Sequence, residues 1–158
     1  MGSLGVFFAA IYYVFNMRAT LHTRQAQMLM SLYQNWNQPK FQEAWMDLMA
    51  WEWKDYDDFQ SKYGRNSNPN EYSKFILIGA FFEGLGVFIK RGFIDPKLVD
   101  DLMSMYIISF WQKLGPIYSE MRERLNSPTI SEYAEYLYNV IYEIWKQQHP
   151  ETLHPYSQ

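Results

Sequence analysis

The sequence predicts an all-α protein, a bundle of about five helices led by a long N-terminal helix whose first part is a membrane anchor. Three observations carry this. Residues 1–17 contain no charged side chain, and the next charges, Arg18, Arg24 and Lys40, are all basic. Beyond them, apolar residues recur three and four apart, with no alternating strand pattern. Helix stop and start signals, among them Asn37-Gln38-Pro39, Gly92 and Asp95-Pro96, divide the chain at intervals that suit helices.

The first helix begins with LGVFFAAIYYVFNM, residues 4–17. At about 1.5 Å per residue, residues 1–17 reach roughly 25 Å, near the lower limit for a hydrocarbon core of about 30 Å. A secretory signal would need a basic segment before the apolar run and a small-residue cleavage site after it, and both are missing. Two readings compete with the anchor: an apolar helix packed in an ordinary core, and the end of a longer span. The first acid in the chain is Glu43, so the positive-inside rule places the remainder in the cytoplasm. The expected division is therefore a single-pass anchor at 1–17, a cytoplasmic bundle at 18–149 and a loose tail at 150–158.

The 158 residues amount to about one domain, and those beyond the anchor suffice for a core without staples. Zero cysteines exclude disulfides and thiolate chemistry. A net charge of -3 gives no pull towards nucleic acid. Glu43, Asp47, Glu52, Asp55, Asp57 and Asp58 against Lys54 make one segment strongly acidic, and residues 62–97 after it are net basic.

Leu21, Met28, Leu32, Tyr33 and Trp36 continue the first helix to Trp36, where Asn37-Gln38-Pro39 stops it. A second helix over residues 40–53 lines up Phe41, Ala44, Trp45, Leu48 and Met49. A short third one starts with Asp55 as cap, carries Asp57 and Asp58 in its positive first turn, and ends at Gly64. Residues 65–70 (RNSNPN) form a loop. The fourth helix, 71–91, is apolar on every face around Glu83 and so belongs mid-bundle. Gly92 ends it, and Asp95-Pro96 supplies an N-cap and an N1 proline for the fifth. Gly115-Pro116 should kink that helix before it resumes to Asn126. Ser127-Pro128, or a capping box of Thr129 with Glu132, opens the last, with Tyr133, Leu137, Val140, Ile141 and Ile144 on its stripe until His149-Pro150.

The run Glu83-Gly84-Leu85-Gly86-Val87 to Lys90-Arg91-Gly92-Phe93-Ile94-Asp95-Pro96, followed by Phe110-Trp111-Gln112-Lys113-Leu114-Gly115-Pro116 and Arg122, resembles an uncharacterised prokaryotic family of small, often membrane-anchored helical proteins, a domain of unknown function. The resemblance implies architecture and topology over nearly the whole chain, and it brings no activity, substrate or catalytic residue.

The sequence carries few chemical motifs. Asp55 and Asp57 open a calcium-loop-like run, but Gln60 stands where a glycine turn is needed and Asn66 where a bidentate glutamate should be. Gly84 and Gly86 lack the third glycine and preceding strand of a dinucleotide loop. His22, His149 and His154 have no metal-pair spacing. No catalytic, cofactor or metal residue is assigned, and the enzyme reading has little in the sequence to stand on. Its six tryptophans, thirteen tyrosines and eleven phenylalanines read as core packing, with an interfacial role for residues 45–53 as the alternative.

Glu83 alone breaks its surroundings. Gly79 and Gly86 share its face and would admit a neighbouring helix, and a buried carboxylate needs a partner. Arg122 or Arg124, a backbone N–H or a tyrosine could supply one; a carboxylate in a ligand pocket is the competing reading. Two functions follow: a membrane-tethered interaction or scaffold module with a protein partner, self-association being open, or a small-molecule sensor or enzyme with its pocket around Glu83.

Overall fold

The computed structural model describes residues 2–151, with side chains from residue 4 onward; most of the predicted tail, including His154, lies outside the described residues. Six helices follow one another: α1 Gly2–Trp36, α2 Pro39–Ala50, α3 Tyr56–Tyr63, α4 Pro69–Lys90, α5 Pro96–Arg124 and α6 Glu132–Gln148. The described residues contain no strand.

From residue 4 to residue 24 every side chain of α1 is exposed, and only Leu29, Trp36 and the half-buried Leu32 and Tyr33 join the core. Trp36, fully buried, is the weld: its ring lies 5.1 to 6.3 Å from those of Phe41, Trp45, Phe81, Phe82 and Tyr106. α2 then runs antiparallel along α4, from Phe41 against Phe81 to Asp47 against Lys74. α4, α5 and α6 pack on one another around Phe75, Ile78, Phe82, Leu85, Ile107, Phe110, Leu114, Leu137 and Ile141, all buried.

α2 ends at Ala50, three residues earlier than the expected span to Trp53, because aromatic packing takes the chain out of the helix. Trp51 is extended and stacks on Tyr63 at 4.2 Å, and Trp53 meets Phe59 edge-on at 5.2 Å. Cations hold the linker's carbonyls: Lys113 Nζ donates to Trp51 at 2.8 Å, Lys62 Nζ to Glu52 at 3.2 Å. Burial lowers the Lys113 ammonium from its usual range.

Asp55 caps α3 as predicted, accepting from Asp58 N at 2.9 Å. Gly64 is not left-handed there (φ -72°); what requires glycine is space, since a Cβ would lie 2.2 Å from the Gln60 carbonyl. The loop is shorter than 65–70, because Asn68 caps α4 and Pro69 takes its first turn.

α4 and α5 both close with a left-handed residue in a double-bonded C-cap. Gly92 (φ 72°) donates to Ile89 O and Phe93 to Phe88 O, with the Phe88 and Phe93 rings 6.2 Å apart. Asn126 (φ 47°) repeats it, donating to Glu123 O while Ser127 donates to Arg122 O. Asp95 accepts from Lys97 N at 2.9 Å, the predicted cap of α5. That helix continues through Pro116 as one element, with Leu114, Gly115, Ile117 and Tyr118 buried on both sides of the proline.

Candidate functional site

The start of α6 is where the expected capping box fails. Ser131, its N-cap residue, is left-handed (φ 55°) and makes no side-chain cap bond, and Thr129 contributes only its carbonyl, to Glu132 N at 3.3 Å. The cap comes from another helix. Glu83 of α4 accepts from the Ala134 backbone N–H at 2.7 Å through Oε2, which gives a carboxylate to an otherwise orphaned donor in the first turn of α6 and places negative charge at the positive end of its dipole.

Two glycines make this approach possible. A Cβ on Gly86 would lie 2.0 Å from the Tyr133 carbonyl oxygen, and one on Gly79 would lie 2.4 Å from the Tyr118 hydroxyl. The face Gly79, Glu83, Gly86 is thus a seat, with Glu83 reaching between the two close contacts. Tyr118 is buried, and burial pushes its ionisation well above the usual phenol range.

Arg122 holds the same segment from the α5 side. Its Nε donates to Ile130 O at 2.8 Å, one terminal nitrogen to Ser131 O at 3.3 Å, and the other to Glu135 at 2.6 Å. Glu83 and Arg122 therefore converge on residues 130–135, but they do so on separate partners; the pairing of Glu83 with a cation, the first of the expected solutions, gives way to a backbone donor. Arg124 is not part of this site. It lies on the exposed face of α5, bound to Asp57 at 2.6 Å and Glu120 at 3.1 Å. The residue that sequence reasoning missed is Ala134, which acts through its backbone and so left no side-chain signal beyond the glycine spacing opposite it.

A cleft of about 170 Å³, lined by Phe75, Gly79, Glu83, Tyr118, Ile130 and Ser131, opens beside the cap. Small-molecule sites usually enclose about 300 to 1,000 Å³. What this arrangement does chemically is orient a helix terminus. Among the described residues, no group of three or more His, Asp or Glu side chains converges as a metal site would need. His149 stacks on Trp145 at 4.8 Å, with Nδ1 3.0 Å from its carbonyl oxygen, and His22 is exposed.

Glu83 is half-buried rather than buried; the buried charged residue among the described ones is Asp100 on α5, 5 % exposed. Its Oδ2 accepts from Gln148 Nε2 at 2.9 Å, and Oδ1 has no hydrogen-bond partner. Burial raises its carboxyl above the usual range, against the Gln148 bond, which lowers it.

Among the described residues, two helices are long and apolar enough to cross a membrane, Leu4–Trp36 and Pro69–Lys90. The apolar window of the first is 0 % buried and that of the second 39 %. No curated protein and no solved structure matches the chain. A family model does, over residues 2–141, which include α1, the glycine face and the α6 cap: the chain belongs to the family described as a domain of unknown function (DUF4760).

Proposed function

We propose that this protein is a membrane-tethered helical interaction module, single-pass, anchored by residues 1–17 with the bundle in the cytoplasm. One observation carries the reading: the uncharged start of α1 exposes Leu4, Val6, Phe7, Phe8, Ile11 and Val14 with no other element to cover them. That much apolar surface is costly in water and favourable in lipid. Arg18 and Arg24 follow directly, and no acid appears before Glu43, which fits a cytoplasmic bundle. A scaffold role, rather than a sensor or enzyme, is favoured because the Glu83 carboxylate is engaged by Ala134 and the cleft beside it is small.

The test is fractionation and labelling. The full chain should stay in the membrane pellet through alkaline carbonate, and a chain starting at Ala19 should be released. The sequence has no cysteine, so Ser67→Cys, on an exposed loop, reports sidedness alone. It should resist an impermeant maleimide in intact cells and react after lysis. Extraction of the full chain by carbonate overturns the anchor; labelling in intact cells overturns the topology.

A further inference from the structure

We propose that the α4–α5 turn is a second membrane contact, a basic, aromatic tip that rests on an anionic lipid surface and fixes the attitude of the bundle. The proposal rests on the anchor reading above.

The turn is built to present side chains outward. Gly92 and the C-cap bonds of Phe93 fix its backbone, Asp95 caps the next helix, and Phe93 remains 52 % exposed although its ring meets Phe88. Lys90, Arg91 and Lys97 are exposed around it, against Asp95, whose Oδ1 is turned to Lys97 N, and the exposed Asp101 one helical turn further along α5. Among the described residues, Arg91 and Lys97 make no ion pair, while Lys90 lies over the Tyr136 ring. An unpaired basic rim around an exposed aromatic is the composition that anionic headgroups attract.

At the opposite end of the bundle the acids of α3 are paired. α3 packs on Phe75 of α4, about 22 Å along the helix from Lys90 at 1.5 Å per residue, and there Asp58 meets Lys62 at 2.8 Å and Asp57 meets Arg124 at 2.6 Å. Paired charges give an anionic surface little to act on, so the unpaired bases of the turn set the preferred end.

Trp36 of α1 meets Tyr106 of α5, about 15 Å along that helix from Pro96, so the turn lies about three helical turns from the place where α1 joins the bundle. From Trp36 to Arg18 α1 extends about 27 Å, and the long basic side chains of the turn add to its reach.

The experiment uses the full chain carrying one cysteine at a time, spin-labelled and reconstituted in vesicles of phosphatidylcholine with phosphatidylglycerol, or of phosphatidylcholine alone. Collision with oxygen against a water-soluble nickel chelate reads depth. Val14→Cys should report from the hydrocarbon in both, and Ser67→Cys from water in both. Phe93→Cys should lie at headgroup depth in the anionic vesicles, with nickel collisions several-fold below those of Ser67→Cys, and return to water in the neutral ones. Arg91→Glu with Lys97→Glu, on the Phe93-labelled chain, should return it to water even with phosphatidylglycerol. A Phe93 label as wet as Ser67 while Val14 is in lipid overturns this proposal and leaves the anchor standing. A wet Val14 label overturns the anchor itself, and headgroup depth that survives charge reversal overturns the role given to Arg91 and Lys97.

Discussion

α1, with 35 residues, and α4, with 22, have apolar windows of similar mean hydropathy, yet none of that of α1 is buried and 39 % of that of α4 is. What separates them is written at a few positions. α4 carries glycines where neighbours press on its backbone, Tyr133 at Gly86 and Tyr118 at Gly79, and a carboxylate that a neighbour needs. Gly5 of α1 has nothing within 4 Å of where a Cβ would lie. A helix made to be covered by helices declares its contacts; one left to another environment shows only its apolar length.

Glycine substitutions test the comparison most severely. Gly86→Ala drives a methyl into the Tyr133 carbonyl and should destabilise the bundle by about 3 kcal/mol, whereas Gly5→Ala should leave its unfolding midpoint unchanged. Chemical denaturation of the two variants side by side measures this. Equal effects would mean that α4 and α1 are alike in their surroundings.

Glu83→Ala removes the cap of α6 and should cost about 2 kcal/mol, with the loss of near-ultraviolet aromatic signal setting in at lower denaturant. Glu83→Gln retains an acceptor for Ala134 N and loses only the charge, so about 0.5 to 1 kcal/mol is expected. A larger cost for Gln than for Ala would point back to a buried ion pair.

Asp95→Ala should cost about 1 kcal/mol by thermal melting, since its carboxylate meets one N–H at an exposed turn. The smallest effect is expected at Asp100 and depends on pH. Its folded-state pKa is raised, so the stability that its protonated form contributes is complete below the ordinary carboxylate range and is lost as pH rises through the raised value. Asp100→Asn should therefore be the more stable chain at pH 7, with the gap closing on acidification. Melting curves across that interval check the sign.

The helices were legible because punctuation and periodicity are local. Asp55, Asp95, Gly92 and Pro96 act where the sequence placed them. The misreadings concern residues whose neighbours are distant in sequence. Trp51 and Trp53 look helical until Tyr63, Phe59 and Lys113 draw them out. Of the candidate site, the face of Glu83 and its glycines was readable from spacing, but its donor was not, because a backbone N–H at residue 134 has no letter of its own. Arg122 was placed near the right segment and Arg124 was not, since α5 turns them to different sides.

The borrowed cap has a consequence for how the chain matures. Ser131 cannot begin α6 by itself, so the signal that starts the last helix lies about fifty residues upstream, in a segment that leaves the ribosome first. By the time Ala134 emerges, α4 can stand as a template, and the final helix is set in register by a surface already made rather than by its own opening residues.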